Sequence, residues 1–271
     1  MDHWPNYFKS STTVVILKPN KVSYDQSKSF HPYILLNTLG KLIKKIIAER
    51  LQFHVVKNDF IHLSQLGDLK FKSTTNAGIA LTHIIQLDWV KNNTTSILAF
   101  NIAQFFPSLN HRLLTHILKK AGLDSKVVNF FTDHLVGRRT SYTWNSLFSL
   151  IFEMNIGVGQ ESALSLVLLA LYLSPFLYIL EKYLKNLNIP ISIISFVDDG
   201  LFISQNKSMD ISNSHLFCSY NVMTKLLDKF GLIIKHSKTE VFHFNRLHGF
   251  SNPPPLDLST IGGSILCPKD L

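Results

Sequence analysis

Residues 191–206, with the sequence ISIISFVDDGLFISQN, restrict the fold of this chain more than any other stretch. Two adjacent acids, Asp198 and Asp199, stand between two short runs rich in Ile, Phe and Val, and Gly200 follows them. Runs of β-branched and aromatic residues separated by polar turn residues predict two strands joined by a hairpin. Most isolated Asp-Asp pairs in turns are simply solvated, so the hairpin alone indicates no chemistry.

The charge of the chain points to its partners. The 271 residues include 27 Lys and Arg against 18 Asp and Glu, a formal net charge of +9. An excess of this size favours an anionic partner, nucleic acid or an acidic membrane surface, although a protein that binds neither can be equally basic. Two cysteines in the whole chain indicate neither a disulfide framework nor a cysteine zinc site. The N-terminal residues lack the apolar core of a signal peptide, so we expect an intracellular location, in the nucleus or the cytoplasm.

One segment is long and apolar enough to cross a membrane. Residues 162–180 contain no charged side chain, but Pro175 and three serines weaken a membrane assignment, and the chain has no second such segment. A helix buried on nearly all sides of a large domain has the same pattern. We therefore expect a core helix over residues 163–185 and keep membrane anchoring as an alternative.

The remaining pattern alternates strands and helices. A strand is expected over 12–18 and a turn over 19–32. An amphipathic helix is expected over 38–56, and a second over 76–92 with Asn76 as its N-cap. The apolar positions of the first helix are Leu39, Leu42, Ile43, Ile46 and Ile47.

Between residues 94 and 244 the predicted order is strand, helices, hairpin, helix, hairpin, helix and strands. This order is typical of an α+β fold with an antiparallel sheet backed by helices. Beyond Phe244 the chain is rich in Pro, Gly and Ser, which predicts a linker.

A second strand could bring further ligands to the two acids of the hairpin. Two Mg²⁺ ions about 3.5–4 Å apart, which assist phosphoryl transfer, need oxygen ligands from separate strands. The natural neighbour is the stretch ILAFNIAQFFPSLNH, equally apolar and also followed by a turn. Where a carboxylate would be useful, this stretch has Asn101.

Five motifs now carry a resemblance to reverse transcriptases. SFVDDG resembles their F/Y-x-D-D box, and FNIAQFFPSLNH resembles the palm strand that provides the first catalytic acid. GVGQESALSLVLLALYLSP resembles the Gly-Gln box and its helix, and GLIIKHSKTEVFHF resembles the downstream lysine motif. KPNK and SFHPYILLNTLGKLIKKIIAERL resemble the finger motifs. The motifs follow the family order over about residues 12–244, and their style is that of non-LTR (LINE-like, fungal-type) retrotransposons.

The resemblance implies a right-hand polymerase with fingers and palm that copies an RNA template into DNA from a primer, using deoxynucleoside triphosphates. The implied regions are a lead-in over 1–11, fingers over 12–93, a palm over 94–246 and a tail over 247–271. The tail would lead to a missing thumb, and the endonuclease would be missing as well. We expect RNA and DNA rather than a membrane as partners.

The resemblance also implies roles for individual residues. Asp198 and Asp199 would hold two Mg²⁺ ions, with Mn²⁺ as an alternative, aided by the backbone carbonyl of Ile102. Phe106 would exclude a 2′-hydroxyl, Gln160 would contact the nucleotide, and Lys238 would protonate or neutralise the leaving pyrophosphate. Lys18 and Lys21 would face phosphates. An ordinary core aromatic, a polar loop residue and solvated lysines are the alternative readings of these last five positions.

Four positions depart from the family pattern: Asn101 replaces a catalytic Asp, His31 a triphosphate-binding Arg, Glu161 a Gly and Leu166 a Pro. Asn keeps the shape of Asp but loses its charge, so we expect an enzyme impaired by roughly a hundred- to ten-thousand-fold. A neutral His offers no guanidinium fork to a triphosphate. Two alternatives stay open: a non-catalytic RNA- or DNA-binding remnant, and a membrane-anchored protein.

Overall fold

A computed structural model describes residues 3–20, 22–26, 29–67, 69–70, 72–145, 147–160, 162–246 and 253–269. Lys21 and Glu161, two residues singled out from the sequence, lie outside these ranges. The chain divides into two compact units, unit 1 from Met1–Phe60 and Phe106–Leu171, and unit 2 from Ile61–Phe105 and Tyr172–Leu271. The predicted division into fingers and palm uses other boundaries and stays a prediction.

The chain is a mixture of helices and strands, as the α+β prediction requires. The helices are α1 (Thr38–Lys57), α2 (Thr74–Val90), α3 (Phe105–Ser108), α4 (His111–Lys120), α5 (Ser125–Leu135), α6 (Ala163–Asn186) and α7 (Met209–Lys229). The strands are β1 (Ser10–Leu17), β2 (Phe30–Leu35), β3 (Thr94–Ala103), β4 (Arg138–Trp144), β5 (Leu147–Met154), β6 (Ile191–Phe196), β7 (Asp199–Asn206), β8 (Ile233–Ile234), β9 (Glu240–Phe244), β10 (Leu256–Asp257) and β11 (Ile265–Leu266).

Unit 1 contains a four-stranded sheet in the order β2-β1-β4-β5, in which β1 and β4 run parallel and the other pairs antiparallel. The predicted hairpin of β4 and β5 is confirmed. The turn expected over residues 19–32 ends earlier, because β2 begins at Phe30 and contains Pro32. Pro cannot donate to a sheet ladder, and it is tolerated here because β2 is an edge strand.

The face that α1 buries differs from the predicted one. The helix is capped by Asn37, and its buried residues are Gly40, Lys44, Ala48, Leu51 and Val55. Three of the apolar positions named from the sequence, Leu39, Leu42 and Ile46, are instead about half exposed. Gly40 explains part of the difference, because it lets α1 approach the ring of Phe8, which a Cβ would meet at 3.2 Å.

Unit 2 contains an antiparallel sheet in the order β6-β7-β3-β8, and β9 also pairs with β3. β3 is therefore the central strand, with β7 along one edge and β8 and β9 along the other. Ile97, Ile194 and Ile203 form a buried cluster against which Leu66 and Phe242 pack. The predicted Asp-Asp hairpin is confirmed as β6 and β7.

The long apolar helix, α6, is buried as expected. Leu164, Val167 and Leu171 are at most 3% exposed, and 72% of the most apolar window of α6 is buried. In the described part of the chain, α6 is the helix long and apolar enough to cross a membrane. Burial of this extent favours a core helix, because a membrane helix needs an apolar surface that faces lipid.

Two local expectations need correction. The N-cap of α2 is Ser73, whose hydroxyl accepts from the backbone N–H of Asn76, so the helix starts earlier than predicted. The segment expected as a linker after Phe244 is folded over residues 253–269, where β10 pairs with β11. Leu256 and Leu258 are buried, and the side chain of Asn213 on α7 donates to the carbonyl of Pro254 at 3.1 Å.

A glycine substitution tests the packing of the central strand. A Cβ at Gly200 on β7 would lie 2.3 Å from the ring of Phe100 on β3. We expect Gly200→Ala to lower the free energy of unfolding by about 1–3 kcal/mol, because the added methyl group would overpack the core. Urea unfolding measures this change.

Gly78→Ala is the matched control, because a Cβ at Gly78 on α2 meets nothing within 4 Å. Ala replaces Gly in a helix interior with a gain of roughly 0.5–1 kcal/mol, so this variant should be slightly stabilised. Equal stability of the two variants would contradict the described approach of Phe100 to Gly200.

Candidate metal-binding and catalytic site

The turn that carries the two acids is strained and supported from outside the hairpin. Asp199 pairs with Phe196 across the hairpin, which leaves Val197 and Asp198 as the two turn residues. Val197 has φ +54°, which two-residue hairpin turns require but which is unfavourable for a β-branched residue. The backbone of Leu66 donates to the carbonyl of Ser195 at 2.7 Å. Gly67 lies so close to the turn that a Cβ would stand 2.4 Å from the Val197 nitrogen.

Asn101 lies between the two acids, as the sequence predicts. It is the cross-strand partner of Asp199 on β7, and it is 6% exposed. Its amide nitrogen donates to Asp198 Oδ2 at 3.0 Å and to Asp199 Oδ1 at 2.8 Å. The expected proximity of Asn101 and Asp198 is confirmed. A neutral donor thus bridges two carboxylates at the place where a cation would neutralise them.

The backbone of Ile102 belongs to the same site. Its N–H donates to the carbonyl of Asp198 at 2.7 Å. Residues opposite each other in such an antiparallel pair direct both the N–H and the C=O towards their partner. The Ile102 backbone thus adjoins the acids, and the role of its carbonyl as a metal ligand stays a prediction.

The lysine motif reaches this site through its backbone. The N–H of Lys235 donates to the carbonyl of Asn101 at 2.8 Å, which fixes the start of the 3-10 helix His236–Lys238 beside the end of β3. The side chain of Lys238 is exposed. The structure thus brings the motif next to Asn101 and leaves the Lys238 ammonium in solvent.

The predicted nucleotide-contacting residues belong to unit 1. Phe106 is half-buried in α3, and its carbonyl accepts from the N–H of Val158 at 2.8 Å. Position 157 accepts only glycine. Its φ is +73°, and a Cβ there would stand 2.5 Å from the backbone of Pro107. The Gly-Gln box is therefore packed directly against Phe106 and Pro107, and Gln160 is exposed just beyond it.

Lys18 and His31 lie on the hairpin of β1 and β2. The N–H of Lys18 donates to the carbonyl of Ser29 at 2.9 Å, and His31 pairs with Ile16. The imidazole of His31 stacks on the ring of Tyr33 with centroids 4.5 Å apart. Its Nδ1 is buried without a partner among the described residues. The two residues share one hairpin of unit 1.

The donor set fits one divalent ion better than two. Across the described ranges, no group of three or more His, Cys, Asp and Glu side chains could hold a metal. Two carboxylates and the Ile102 carbonyl are hard oxygen ligands of the kind that Mg²⁺ prefers. Asn101 presents its donor side to the acids, and rotation of its amide would present Oδ1 instead. Among the described residues, no third acid joins these two to hold a second ion.

Known proteins resemble this chain in sequence and in fold. Residues 16–260 match the family model described as reverse transcriptase (RNA-dependent DNA polymerase). The chain belongs to the reverse transcriptase family. The expectation drawn from the five motifs is thereby confirmed, and this family generally uses divalent metal ions.

A curated relative is the retrovirus-related Pol polyprotein from the type-1 retrotransposable element R2 of Popillia japonica. It is 20% identical to this reverse transcriptase over 221 residues, which cover 75% of this chain and 29% of that protein. The chain thus spans less than a third of the length of its relative.

Solved structures of telomerase share the fold. One is apo telomerase from Candida tropicalis, truncated from the C-terminal domain, with a TM-score of 0.63 and 15% sequence identity. The matched region covers 90% of this chain and 52% of that telomerase chain. Telomerase from Candida albicans in complex with a TWJ fragment of telomeric RNA has a TM-score of 0.64 at 13% identity over 94% and 44%. The predicted α+β polymerase fold is confirmed.

Sequence reasoning missed the support of the turn. Gly67 has no motif around it, and only the folded chain shows that it borders Val197. The bridging hydrogen bonds of Asn101 were also missed, although the pairing of a carboxamide with two acids was a signal for them.

Replacement of Asn101 by Asp tests the bridge. In EDTA, Asn101→Asp replaces two hydrogen bonds by repulsion among three carboxylates, so the free energy of unfolding should fall by about 1–3 kcal/mol. Millimolar Mg²⁺ should reverse the loss, because a ligand that binds the native state stabilises it. Urea unfolding with and without Mg²⁺ measures both effects.

Asn206→Asp at the end of β7 is the matched control. The side-chain oxygen of Asn206 accepts from the N–H of Ser208 at 3.2 Å, a bond that a carboxylate keeps. Its stability should change little and should not depend on Mg²⁺. A Mg²⁺ response of the same size in both variants would contradict a metal site at Asn101.

Proposed function

We propose that this chain is the reverse transcriptase region of a non-LTR retrotransposon and that its reaction, RNA-directed DNA synthesis, is impaired at Asn101. The R2 relative supports the non-LTR assignment. The single observation that carries the impairment is the contact of Asn101 with both acids, where the charge of a carboxylate is missing.

Asp198 and Asp199 are the residues that would hold the metal, with the Ile102 carbonyl beside them. When bound, divalent ions stabilise the charge that develops on a transferring phosphoryl group and orient the attacking hydroxyl. Asn101 keeps the two carboxylates in place by hydrogen bonds but adds no negative charge. The site would therefore retain one ion and hold a second weakly.

The remaining contacts of the reaction are proposals from the family motifs. Phe106 would exclude a ribose 2′-hydroxyl, and Gln160 would contact the incoming nucleotide. Lys18, Lys21 and His31 would face its phosphates. Lys238 would protonate or neutralise the leaving pyrophosphate, and its exposure to solvent is compatible with such contact.

An RNA template, a DNA primer and deoxynucleoside triphosphates are the proposed partners, in an intracellular location. The net charge of +9 supports nucleic acid as a partner, because neutralised phosphates release counterions. Endonuclease and thumb domains, supplied by other parts of a longer protein, would complete the reaction.

Primer extension on an RNA template tests the proposal. Asn101→Asp should raise the rate of single-nucleotide addition at least tenfold in Mg²⁺, since about 1.4 kcal/mol of transition-state stabilisation is tenfold in rate. His31→Arg and Glu161→Gly should then improve nucleotide affinity. The assay needs a reverse-transcriptase thumb fused to the chain or supplied in trans, so that a primer can be held.

Two controls keep the comparison specific. Asn206→Asp adds the same charge elsewhere on the sheet and should leave the rate unchanged. Asp199→Asn in the Asn101→Asp background should abolish the gain. Rates of the unaltered chain and of Asn101→Asp that agree within about threefold, well below the tenfold scale, would reject the impaired-enzyme proposal.

A non-catalytic nucleic-acid binder is the second candidate. The hydrogen-bonded Asn101 favours it, because the acids already have a neutral partner. Such a protein would bind an RNA–DNA duplex with an affinity that falls steeply with salt and does not depend on Mg²⁺. A Mg²⁺-independent affinity in both the unaltered chain and Asn101→Asp, without extension by either, would support this candidate.

A further inference from the structure

Unit 1 contains a basic pocket next to the Gly-Gln box, whose residues Val158 and Gly159 form part of its lining. We define the basic pocket by five of its lining side chains: Lys9, Lys44, His134, Arg138 and Ser162. They come from the end of the 3-10 helix Asn6–Lys9, from α1, from the end of α5, from β4 and from the segment before α6. The cavity measures about 30 Å³. This exceeds the roughly 10–15 Å³ that one water molecule needs, so the cavity is larger than a single water site.

The positive charges of the basic pocket are buried and only partly compensated. Lys9 pairs with Asp133 at 3.0 Å. Arg138 donates to the carbonyls of Leu135 and Ile156, which are neutral. Lys44 is 5% exposed, and its ammonium lies over the ring of Trp4 at 5.6 Å. Among the described lining residues there is no carboxylate.

Two neutral donors in the basic pocket are without partners. The hydroxyl of Ser162 and Nδ1 of His134 are buried and make no hydrogen bond to the described part of the chain. Both residues are less than a tenth exposed. Burial and the nearby Lys44 hold the pKa of His134 well below its usual value, so its imidazole is neutral and can donate one N–H. Buried polar groups normally have a partner, and these two lack one in the same cavity.

The charge on Lys44 is costly for the fold. Burial, followed by repulsion from Arg138 and Lys41, lowers the pKa of Lys44 to about 8. A buried cation without a counter-charge destabilises a protein, whereas a bound anion would offset that cost. We therefore expect Lys44 to contribute to anion binding rather than to the stability of the fold.

We propose that the basic pocket binds a tetrahedral phosphate-type oxyanion through the Lys44 ammonium, the Ser162 hydroxyl and the His134 N–H, with Arg138 adding positive charge. A tetrahedral oxyanion has several acceptor oxygens that point in different directions, so each of these donors can have its own acceptor. Asn101, Asp198 and Asp199 are not among the described lining residues, and the test below needs no polymerase activity. The phosphate group can belong to inorganic phosphate, to a nucleotide or to a nucleic acid.

Thermal unfolding of the whole chain at constant ionic strength tests the proposal. Phosphate or sulfate in place of chloride should raise the melting temperature, and Lys44→Met should weaken the apparent affinity at least tenfold. Lys45→Met is the matched control, because Lys45 is the exposed neighbour on the same helix and its loss should change nothing. Ser162→Ala should weaken the affinity by about three- to tenfold.

The melting temperature of Lys44→Met without oxyanion distinguishes a binding role of Lys44 from a structural one. Lys44→Met should melt at a higher temperature than the unaltered chain in chloride at pH 7, because it removes a buried charge and keeps an apolar stem against Trp4. A lysine with a purely structural role would instead destabilise the chain when removed. The gain should shrink as the pH rises through about 8, where Lys44 itself becomes neutral.

Sulfate is the probe for pH dependence, since it does not titrate near neutrality. The groups that act on Lys44 are Arg138, Lys41 and His134. Burial lowers the pKa of Arg138 to about 10, so its guanidinium is still mostly charged at pH 9, and burial holds the pKa of His134 so low that its imidazole is neutral over this range. The affinity for sulfate should therefore fall over that range in the unaltered chain and in Lys45→Met, and it should stay flat in Lys44→Met.

Competition against sulfate identifies the source of the phosphate group. Displacement by an unphosphorylated oligonucleotide indicates a backbone phosphate, whereas displacement only by a 5′-phosphorylated oligonucleotide or a deoxynucleoside triphosphate indicates a terminal one. Displacement by any of them supports the site. Equal oxyanion responses of Lys44→Met and Lys45→Met, or no response of the unaltered chain, would overturn the proposal.

Glu161 provides a further check, because it precedes Ser162 in the chain and carries a carboxylate. With oxyanion binding as proposed, Glu161→Gln binds sulfate at least as tightly as the unaltered chain. A sulfate response that appears only in Glu161→Gln would mean that this carboxylate supplies the counter-charge, and it would overturn the proposal.

Discussion

At the end of the central strand of unit 2, one carboxamide donates hydrogen bonds to two acids of the neighbouring hairpin. Asn101 lies where β3 leaves its pairing with β7, and the backbones of Ile102 and Asn101 continue to Asp198 and Lys235. Two like charges at the tip of a hairpin would repel each other without this donor. The left-handed turn at Val197 and the approach of Gly67 adjoin the acids that Asn101 bridges, and the lysine motif starts with a hydrogen bond to the Asn101 carbonyl.

The elements with a strong local signal could be predicted from the sequence, and so could the contact between β3 and the hairpin. An alternating apolar pattern and a polar turn are local properties, so the β6–β7 hairpin follows from them. The proximity of Asn101 and Asp198 was predictable because the family order of motifs implies which strands pair. The roles of the individual residues stay predictions, as does the boundary between fingers and palm.

Other features depend on partners that are distant in the chain. The buried face of α1 is set by Phe8 and by the closeness that Gly40 permits, and a count of apolar residues misjudges it. The folded tail is held by Asn213, which no composition rule connects to Pro254. The basic pocket is lined by side chains from five segments of the chain. In the sequence, its basic residues cannot be distinguished from ordinary solvated ones. In each case tertiary contact overrides the local pattern.

Asn101 also has a consequence for how this sequence can change over generations. The codons of Asn and Asp differ by a single base, so one transition would restore the acid that the family carries. The bridge holds the two neighbouring acids in position in the meantime, and the geometry needed for metal binding is not lost along with the charge. Under the proposed impairment, restoring the charge at position 101 would require no rearrangement of the fold.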